Sequence, residues 1–263
     1  FYYESEYICI FVYSLIDNPT AAHYYYFLQV TTFDSTRAPS HSWVFQADPV
    51  MGGQSSGAMK TINNVGILYG VVRDIPRLNA PGFIKIQTPD STNFPDARSC
   101  THFKLEIKTA GTNTNYGGWR FGVGSSQPSN GKGQRHAYGH KGDFAAPSNQ
   151  EFLNITMPFN EFSNYWNPST GDAIVTCKED VQYCMKNDTL NGLGNTISVW
   201  AEGKNGDVEL HIRNIYVGGC DQNVVEATGG SAGSSIMDSG SNNSRINVVN
   251  TLLMMVVLCL MYR

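Results

Sequence analysis

Short strand-like runs recur along the middle of this chain, and Gly, Pro, Asn or Asp residues bound each of them. In the segments 103–108 and 208–213, apolar and polar residues alternate, which turns one face of each strand inward and the other toward water. Similar runs lie at 66–72, 83–87, 120–123, 152–157 and 197–200. Away from the two ends, no long segment has the helical period. The pattern predicts an all-β domain, an antiparallel sandwich of two sheets.

The composition fits one such domain and argues against a nucleic-acid partner. The chain has 263 residues, which suits one all-β domain of generous size with tails. Charged residues make up only 15% of it, and the formal net charge is -4. A nucleic-acid surface needs a basic stripe, whereas Lys132, Arg135 and Lys141 form a thin cluster among glycines.

The segment 48–55, Asp-Pro-Val-Met-Gly-Gly-Gln-Ser, contains a predicted tight turn. Gly52 and Gly53 allow positive φ, or a close approach of another backbone, where a Cβ would clash. Pro49 fixes one φ and keeps the residue before it out of helical conformation. Together with Trp43 just upstream, the segment predicts a β-turn beside a buried ring.

The same segment resembles the signature of one domain family, that of complex I intermediate-associated protein 30, an assembly factor of NADH:ubiquinone oxidoreductase. In that family a Trp precedes an Asp-x-Val-Met-Gly-Gly-x-Ser run. Further matches follow in the family's order: Gly-Ile-Leu-Tyr-Gly at 66–70, Ala-Pro-Gly-Phe at 80–83, Asn-Tyr-Gly-Gly-Trp-Arg-Phe at 115–121, Met-Pro-Phe-Asn-Glu-Phe at 157–162, Trp-Ala-Glu-Gly at 200–203 and Gly-Asp-Val-Glu-Leu-His-Ile at 206–212. The resemblance covers residues 32–219.

The resemblance implies a galactose-binding-like jelly roll and a non-catalytic function in the assembly of a protein complex, with a chaperone-like role. No cofactor is expected. The candidate binding residues are Trp43, Asp48, Met51, Gly52, Gly53, Ser55, Tyr116, Arg120, Trp200 and Glu202.

Aromatic residues support an alternative function, that of a membrane-tethered cell-surface module that binds carbohydrate. An aromatic ring can bury the apolar side of a pyranose while polar neighbours bond its hydroxyls. The rings that could form such a face are those of Trp43, Tyr116, Trp119, Trp166 and Trp200. Because Trp is highly buried on average, we expect most of them to lie in the core.

Two patterns typical of hydrolases are interpreted as structural, so that we expect no enzyme. Ser55 stands in a Gly-x-Ser-x-Gly sequence, but no helical pattern follows it, as the nucleophile turn of a hydrolase requires. Glu202 and Asp207 straddle a Gly-rich turn of a predicted hairpin, where acidic residues are ordinary. A hydrolase that uses Ser55 or Glu202 is the weakest hypothesis.

No metal site is predicted, because the cysteines lack a Cys-x-x-Cys pair and His136 and His140 stand in a Gly-rich segment that disfavours a helix. Cys177 and Cys184 have a spacing that can close a small disulfide ring. Cys100 and Cys220 are a further possible pair, whose connectivity the sequence leaves open.

Asn154 and Asn187 begin glycosylation sequons, as does Asn242. Sequons and cysteines together favour the secretory pathway or the cell surface. A mitochondrial location is the alternative, although the chain shows no Arg-rich amphipathic presequence.

The two ends are predicted to lie outside the domain. Residues 1–31 form an N-terminal segment that is either signal-like or truncated. Residues 220–245 form a flexible linker rich in Gly, Ser and Asn, and residues 246–263 form an apolar tail. That layout fits a lipid-anchor signal, and a short membrane anchor is the alternative.

Overall fold

The structure is a computed structural model that describes residues 26–77, 82–89, 91–124, 139–167 and 170–221. The predicted N-terminal segment up to residue 25, and the linker and tail beyond residue 221, lie outside these residues. The side chain of Met51, the residues Lys132, Arg135 and His136, and the Asn242 sequon lie outside them as well.

The described residues contain eleven β-strands and one short helix. The strands are β1 (Tyr26–Thr32), β2 (Val44–Ala47), β3 (Ser56–Ile62), β4 (Val65–Val72), β5 (Phe83–Gln87), β6 (His102–Thr109), β7 (Trp119–Val123), β8 (His140–Asp143), β9 (Leu153–Pro158), β10 (Ile197–Glu202) and β11 (Gly206–Cys220). The helix α1 spans Asn187–Leu190, and 3-10 turns span Asp48–Met51, Phe159–Glu161, Val181–Tyr183 and Gly192–Asn195.

The strands form two antiparallel sheets. The six-stranded sheet has the order β3-β4-β11-β6-β9, and β1 pairs with the C-terminal half of β11. The five-stranded sheet has the order β2-β5-β10-β7-β8. The predicted all-β antiparallel sandwich is therefore confirmed.

The core lies between the two sheets and follows from residue alternation. In β6, Phe103, Leu105 and Ile107 are fully buried, while the residues between them are partly exposed. The ring of Phe103 meets that of Phe121 from the other sheet edge to face, with 4.9 Å between centroids. Each such side chain contributes about 1.5–3 kcal/mol on burial, which makes this alternation the main source of stability.

Two disulfides join parts of the sandwich. The Cys177–Cys184 bond closes a small loop before α1, as predicted. The Cys100–Cys220 bond settles the pairing that the sequence left open, and it ties the end of β11 to the segment before β6. Because it links residues 120 apart in sequence, it removes much conformational freedom from the unfolded chain, an effect of about 4–5 kcal/mol in the chain-entropy model.

The diglycine segment forms a hydrogen-bonded corner centred on the buried carboxylate of Asp48. Its Oδ1 accepts from the amide of Ser55 at 3.0 Å, and its Oδ2 accepts from the Ser55 hydroxyl at 2.5 Å. Oδ2 also accepts from the amide of Phe83 at 3.0 Å, which fixes the start of β5. Gly52 has φ of +79°, and Gly53 packs directly against the Asp48 carboxylate. The corner therefore connects the 3-10 turn, β3 and β5.

Adding a methyl group at Gly53 is expected to destabilise the protein. In a Gly53→Ala variant the new Cβ overlaps the Asp48 carboxylate and displaces its buried hydrogen bonds, at a cost of about 2–4 kcal/mol. Gly117→Ala is the matched control, because nothing lies within 4 Å of a Cβ there. Chemical denaturation measures both, and equal unfolding free energies for the two variants would contradict the role given to the corner.

Candidate functional site

The outer face of the five-stranded sheet carries most of the sequence's candidate chemistry. In β10 every residue is buried, and Ile197, Val199 and Ala201 belong to the hydrophobic core. Strand alternation places the residues between them, Ser198, Trp200 and Glu202, on the opposite face. The neighbouring strands add outward-facing side chains to this outer face by the same alternation and register: Phe83, Lys85, Gln87, Arg120, Lys141 and Asp143.

Three buried ionic side chains form what we call the charge cluster: Arg120, Lys141 and Glu202. Glu202 Oε1 accepts hydrogen bonds from Arg120 Nη1 at 2.6 Å and from Lys141 Nζ. Arg120 also donates through Nε to Asp143 Oδ1 at 2.7 Å and through Nη2 to Asp172 Oδ1 at 2.8 Å. The guanidinium thus joins three carboxylates, one from each of β10, β8 and the loop around residue 172.

The two cations keep Glu202 ionised. Burial alone would raise the pKa of the Glu202 carboxyl, but Lys141 and Arg120 outweigh that effect, and its pKa lies below the usual range. For Arg120, burial opposes the charged form, yet Glu202 and Asp143 raise the pKa of the guanidinium. Glu202 is therefore a paired anion, which makes it unsuitable as a proton-donating general acid.

Two tryptophan rings lie against the ammonium groups of the outer face. Lys85 Nζ and Lys141 Nζ lie 4.3 Å and 4.6 Å from the ring centroid of Trp200. The Trp200 Nε1 donates to Ser198 Oγ at 2.7 Å. Lys141 Nζ also lies 4.6 Å from the ring of Trp166, which reaches the cluster from the loop after β9. Cation–π attraction of this kind helps to offset the desolvation of the lysines.

A groove of about 470 Å³ adjoins the charge cluster on the side of the sandwich where β8 and β9 form the sheet edges. Its lining consists of Lys141, Asp143, Phe144, Ala145, Ile155, Thr156, Met157, Pro158, Glu161, Trp166, Ala173 and Thr176. A second depression of about 430 Å³ shares Asp143, Phe144 and Ala145 with it. The Asp143–Ala145 segment is therefore accessible from both sides.

The ten residues predicted to bind do not form one continuous site. Arg120, Trp200 and Glu202 come together on the outer face. Asp48, Gly52, Gly53 and Ser55 lie in the corner, as does the backbone of Met51. Trp43 stacks on Phe33 with 5.4 Å between ring centroids, and the Tyr116 hydroxyl donates to the Lys204 carbonyl while its ring packs on Trp119.

The corner and the charge cluster are nevertheless neighbours. Phe83, whose amide bonds to Asp48, is paired with Glu202 across the β5–β10 ladder. The ring of Phe83 also contacts that of Trp200, with centroids 5.3 Å apart. The corner thus fixes the position of β5 beside the cluster.

Lys85, Asp143 and Asp172 take part in this arrangement although no sequence motif marks them, and the sequence predicts Lys141 only as part of a thin basic cluster. The alternation in Phe83–Gln87 places Lys85 beside the cluster, on the same face as Phe83 and Gln87. Asp172 comes from a loop, and its contact with Arg120 depends on tertiary structure alone.

The groups suggested by hydrolase patterns have other roles in the structure. The Ser55 hydroxyl donates to Asp48, and the amide of Arg73 donates to it at 3.0 Å. The strand β3 follows Ser55 directly, so the strand-to-helix turn of a hydrolase nucleophile is not formed there. Glu202 and Asp207 lie on strands of different sheets, and Asp207 is exposed.

Within the described ranges, no group of three or more His, Cys, Asp or Glu side chains is arranged to hold a metal ion. The same part of the chain has no helix with the length and apolar character needed to cross a membrane. Asn154 on β9 and Asn187 at the start of α1 are both exposed, as glycosylation would require.

Comparisons with known proteins add a family and two solved structures. A family model described as Complex I intermediate-associated protein 30 (CIA30) matches residues 31–178. No protein with a curated description matches the sequence. The chain is similar to PfGH50B at 13% identity and a TM-score of 0.36, over 67% of this chain and only 22% of that one. It is also similar to the protein in "Solution structure, dynamics and binding studies of CtCBM11", at 15% identity and a TM-score of 0.38, over 76% of this chain and 97% of that one.

The stability of the protein should fall in mild acid because of His140, the buried first residue of β8. Burial lowers the pKa of His140 to about 4, despite a hydrogen bond to the backbone of Cys184 and the nearby charge of Asp188. Below the ordinary histidine pKa of about 6.5, His140 binds a proton in the unfolded chain but not in the folded protein. The free energy of unfolding therefore falls by about 3 kcal/mol between pH 7 and pH 4. A His140→Gln variant should lose this part of the pH dependence in denaturation experiments. Parallel pH profiles for the two proteins would contradict the burial of a neutral imidazole.

Proposed function

Because the chain belongs to the complex I intermediate-associated protein 30 family, we propose that it is a non-catalytic binding domain that assists the assembly of a protein complex. One observation carries this proposal: the groups with catalytic potential are engaged internally, while an open groove adjoins the charge cluster. Ser55 is hydrogen-bonded within the corner, and Glu202 is paired with two cations. The groove next to the charge cluster has a volume typical of ligand sites.

We also propose that the protein resides in an oxidising compartment. Disulfides persist in secreted and cell-surface proteins and are rare where thiols are kept reduced. The bonds Cys100–Cys220 and Cys177–Cys184, and the exposed sequons at Asn154 and Asn187, support the secretory pathway or the cell surface. A mitochondrial location, in line with the family's name, is the alternative. Membrane attachment through residues 246–263 belongs to the same proposal.

Carbohydrate binding by a membrane-tethered module is the second candidate function. Trp166 and Trp200 favour it, because polar side chains surround both rings on the outer face of the sheet. Trp166 and Trp200 are only 5% and 4% exposed, however, so a sugar could stack on their rings only after other groups move away. A protein partner that uses the open groove requires no such movement, and for that reason we place it first.

Site-specific photocrosslinking of the full chain tests the leading function. Replacing the exposed, groove-lining Ala145 by a benzoylphenylalanine should yield a covalent adduct with a protein when the chain is irradiated in its own cells. Val181, which is 79% exposed and does not line the groove, is the matched control position and should yield no such adduct.

A glycan array probed with the same full chain should give no signal. Equal protein adducts at the two positions would contradict a specific partner at the groove. Glycan binding without an adduct at position 145 would favour the carbohydrate-binding module instead.

A further inference from the structure

We propose that the groove between β8 and β9 binds an extended, basic peptide segment of the protein partner, which adds as a strand to the free edge of β9. This inference rests on the proposed binding function, and it names the class of ligand and its mode of binding. Three features carry it: the shape of the groove, the free edge of β9 and the sign of the exposed charges.

The groove has an apolar floor and lies where the two sheets end. Ile155 and Met157 from β9 form part of the floor, and Phe144, Trp166 and Ala173 extend it from the opposite side. Its volume of about 470 Å³ has room for a few side chains of a peptide but not for a folded domain. Apolar side chains at alternate positions of an extended peptide match such a floor.

The backbone of β9 offers free hydrogen-bonding groups along this groove. The amide of Phe159 donates to the carbonyl of Thr101 at 2.9 Å, which sets the phase of the β6–β9 ladder. In an antiparallel pair the direction of the amide and carbonyl alternates, so both groups of Thr156 point away from β6. Among the described residues, neither group has a backbone partner on that side. An unpaired edge of this kind is a template for strand addition.

Carboxylates outnumber cations among the exposed charges at the groove. The side chains of Asp143 and Glu161 are 61% and 47% exposed. Arg120 and Lys141 are almost fully buried and are paired with Glu202, whereas Lys178 is 65% exposed and lies 3.5 Å from Glu161. A ligand therefore meets two carboxylates and one ammonium group, which favours Lys or Arg side chains over acidic ones.

Peptide binding to the full chain tests the proposal. The probes are eight-residue peptides on an array, each with Lys or Arg at two alternate positions, and matched peptides with norleucine or Glu at those positions. Fluorescence anisotropy of the best basic sequence should give an affinity at least tenfold above that of its norleucine counterpart, and the Glu counterpart should not bind. N-methylation of alternate amides along one edge of the peptide should abolish binding, whereas methylation along the other edge should not, because only one edge pairs with β9.

Two protein variants locate the site. Glu161→Lys reverses a charge in the groove and should weaken binding of the basic peptide at least tenfold. Glu151→Lys makes the same change of net charge at an exposed position just before β9, outside the groove, and should leave the affinity within about twofold, as expected for screened surface charges.

Equal effects of the two variants, no preference for basic over norleucine peptides, or insensitivity to N-methylation on both edges would each overturn the proposal. If the peptides do not bind but a specific protein adduct forms at position 145, the binding function stands. Only the addition of a basic peptide strand to β9 is then ruled out. Failure of both experiments would remove the binding function as well.

Discussion

The buried carboxylate of Glu202, shared by Arg120 and Lys141, is the interaction on which the five-stranded sheet depends. Desolvating an ion costs several kcal/mol, so each of these groups is tolerable inside the protein only while the others are present. The pairing joins β10, β7 and β8, and Arg120 extends it to Asp172 in the loop that follows β9. The same guanidinium holds Asp143 at the rim of the groove. The cluster thus sets the positions of the elements that surround the groove more than it adds net stability.

The family signature at 48–55 supports this arrangement from the neighbouring strand. Asp48 holds the amide of Phe83, and Phe83 is the register partner of Glu202. Gly53 leaves room for the Asp48 carboxylate, which explains why the turn has a glycine there. The residues that carry the resemblance are therefore mostly structural at this corner, whereas the open surface that we propose for binding lies at β8, with β10 and β7 between it and β5.

Features set by residues that are close in sequence could be predicted, whereas contacts between distant segments of the chain could not. The alternation in β6 and β11 predicts their buried faces, and the spacing of Cys177 and Cys184 predicts a local ring. Lys85 and Lys141 could not be placed in the same way, because a lysine in a strand ordinarily faces water. Here tryptophan rings and a loop from elsewhere in the chain cover the outer face. β1 begins at Tyr26, before the predicted domain start, because it pairs along the distant C-terminal half of β11.

The most direct test compares the unfolding free energies of Arg120→Met, Lys141→Met and Glu202→Leu, made singly and together, by chemical denaturation. If the cluster is a mutually dependent set of buried charges, Glu202→Leu should cost about 3–5 kcal/mol, because it removes the carboxylate that pairs with the buried ammonium of Lys141. Arg120→Met and Lys141→Met should each cost less, because Glu202 keeps one of its two cations in either variant. The triple variant should then be more stable than Glu202→Leu, since no uncompensated ion of the cluster is left. Additive losses, with the triple variant the least stable of all, would contradict this account.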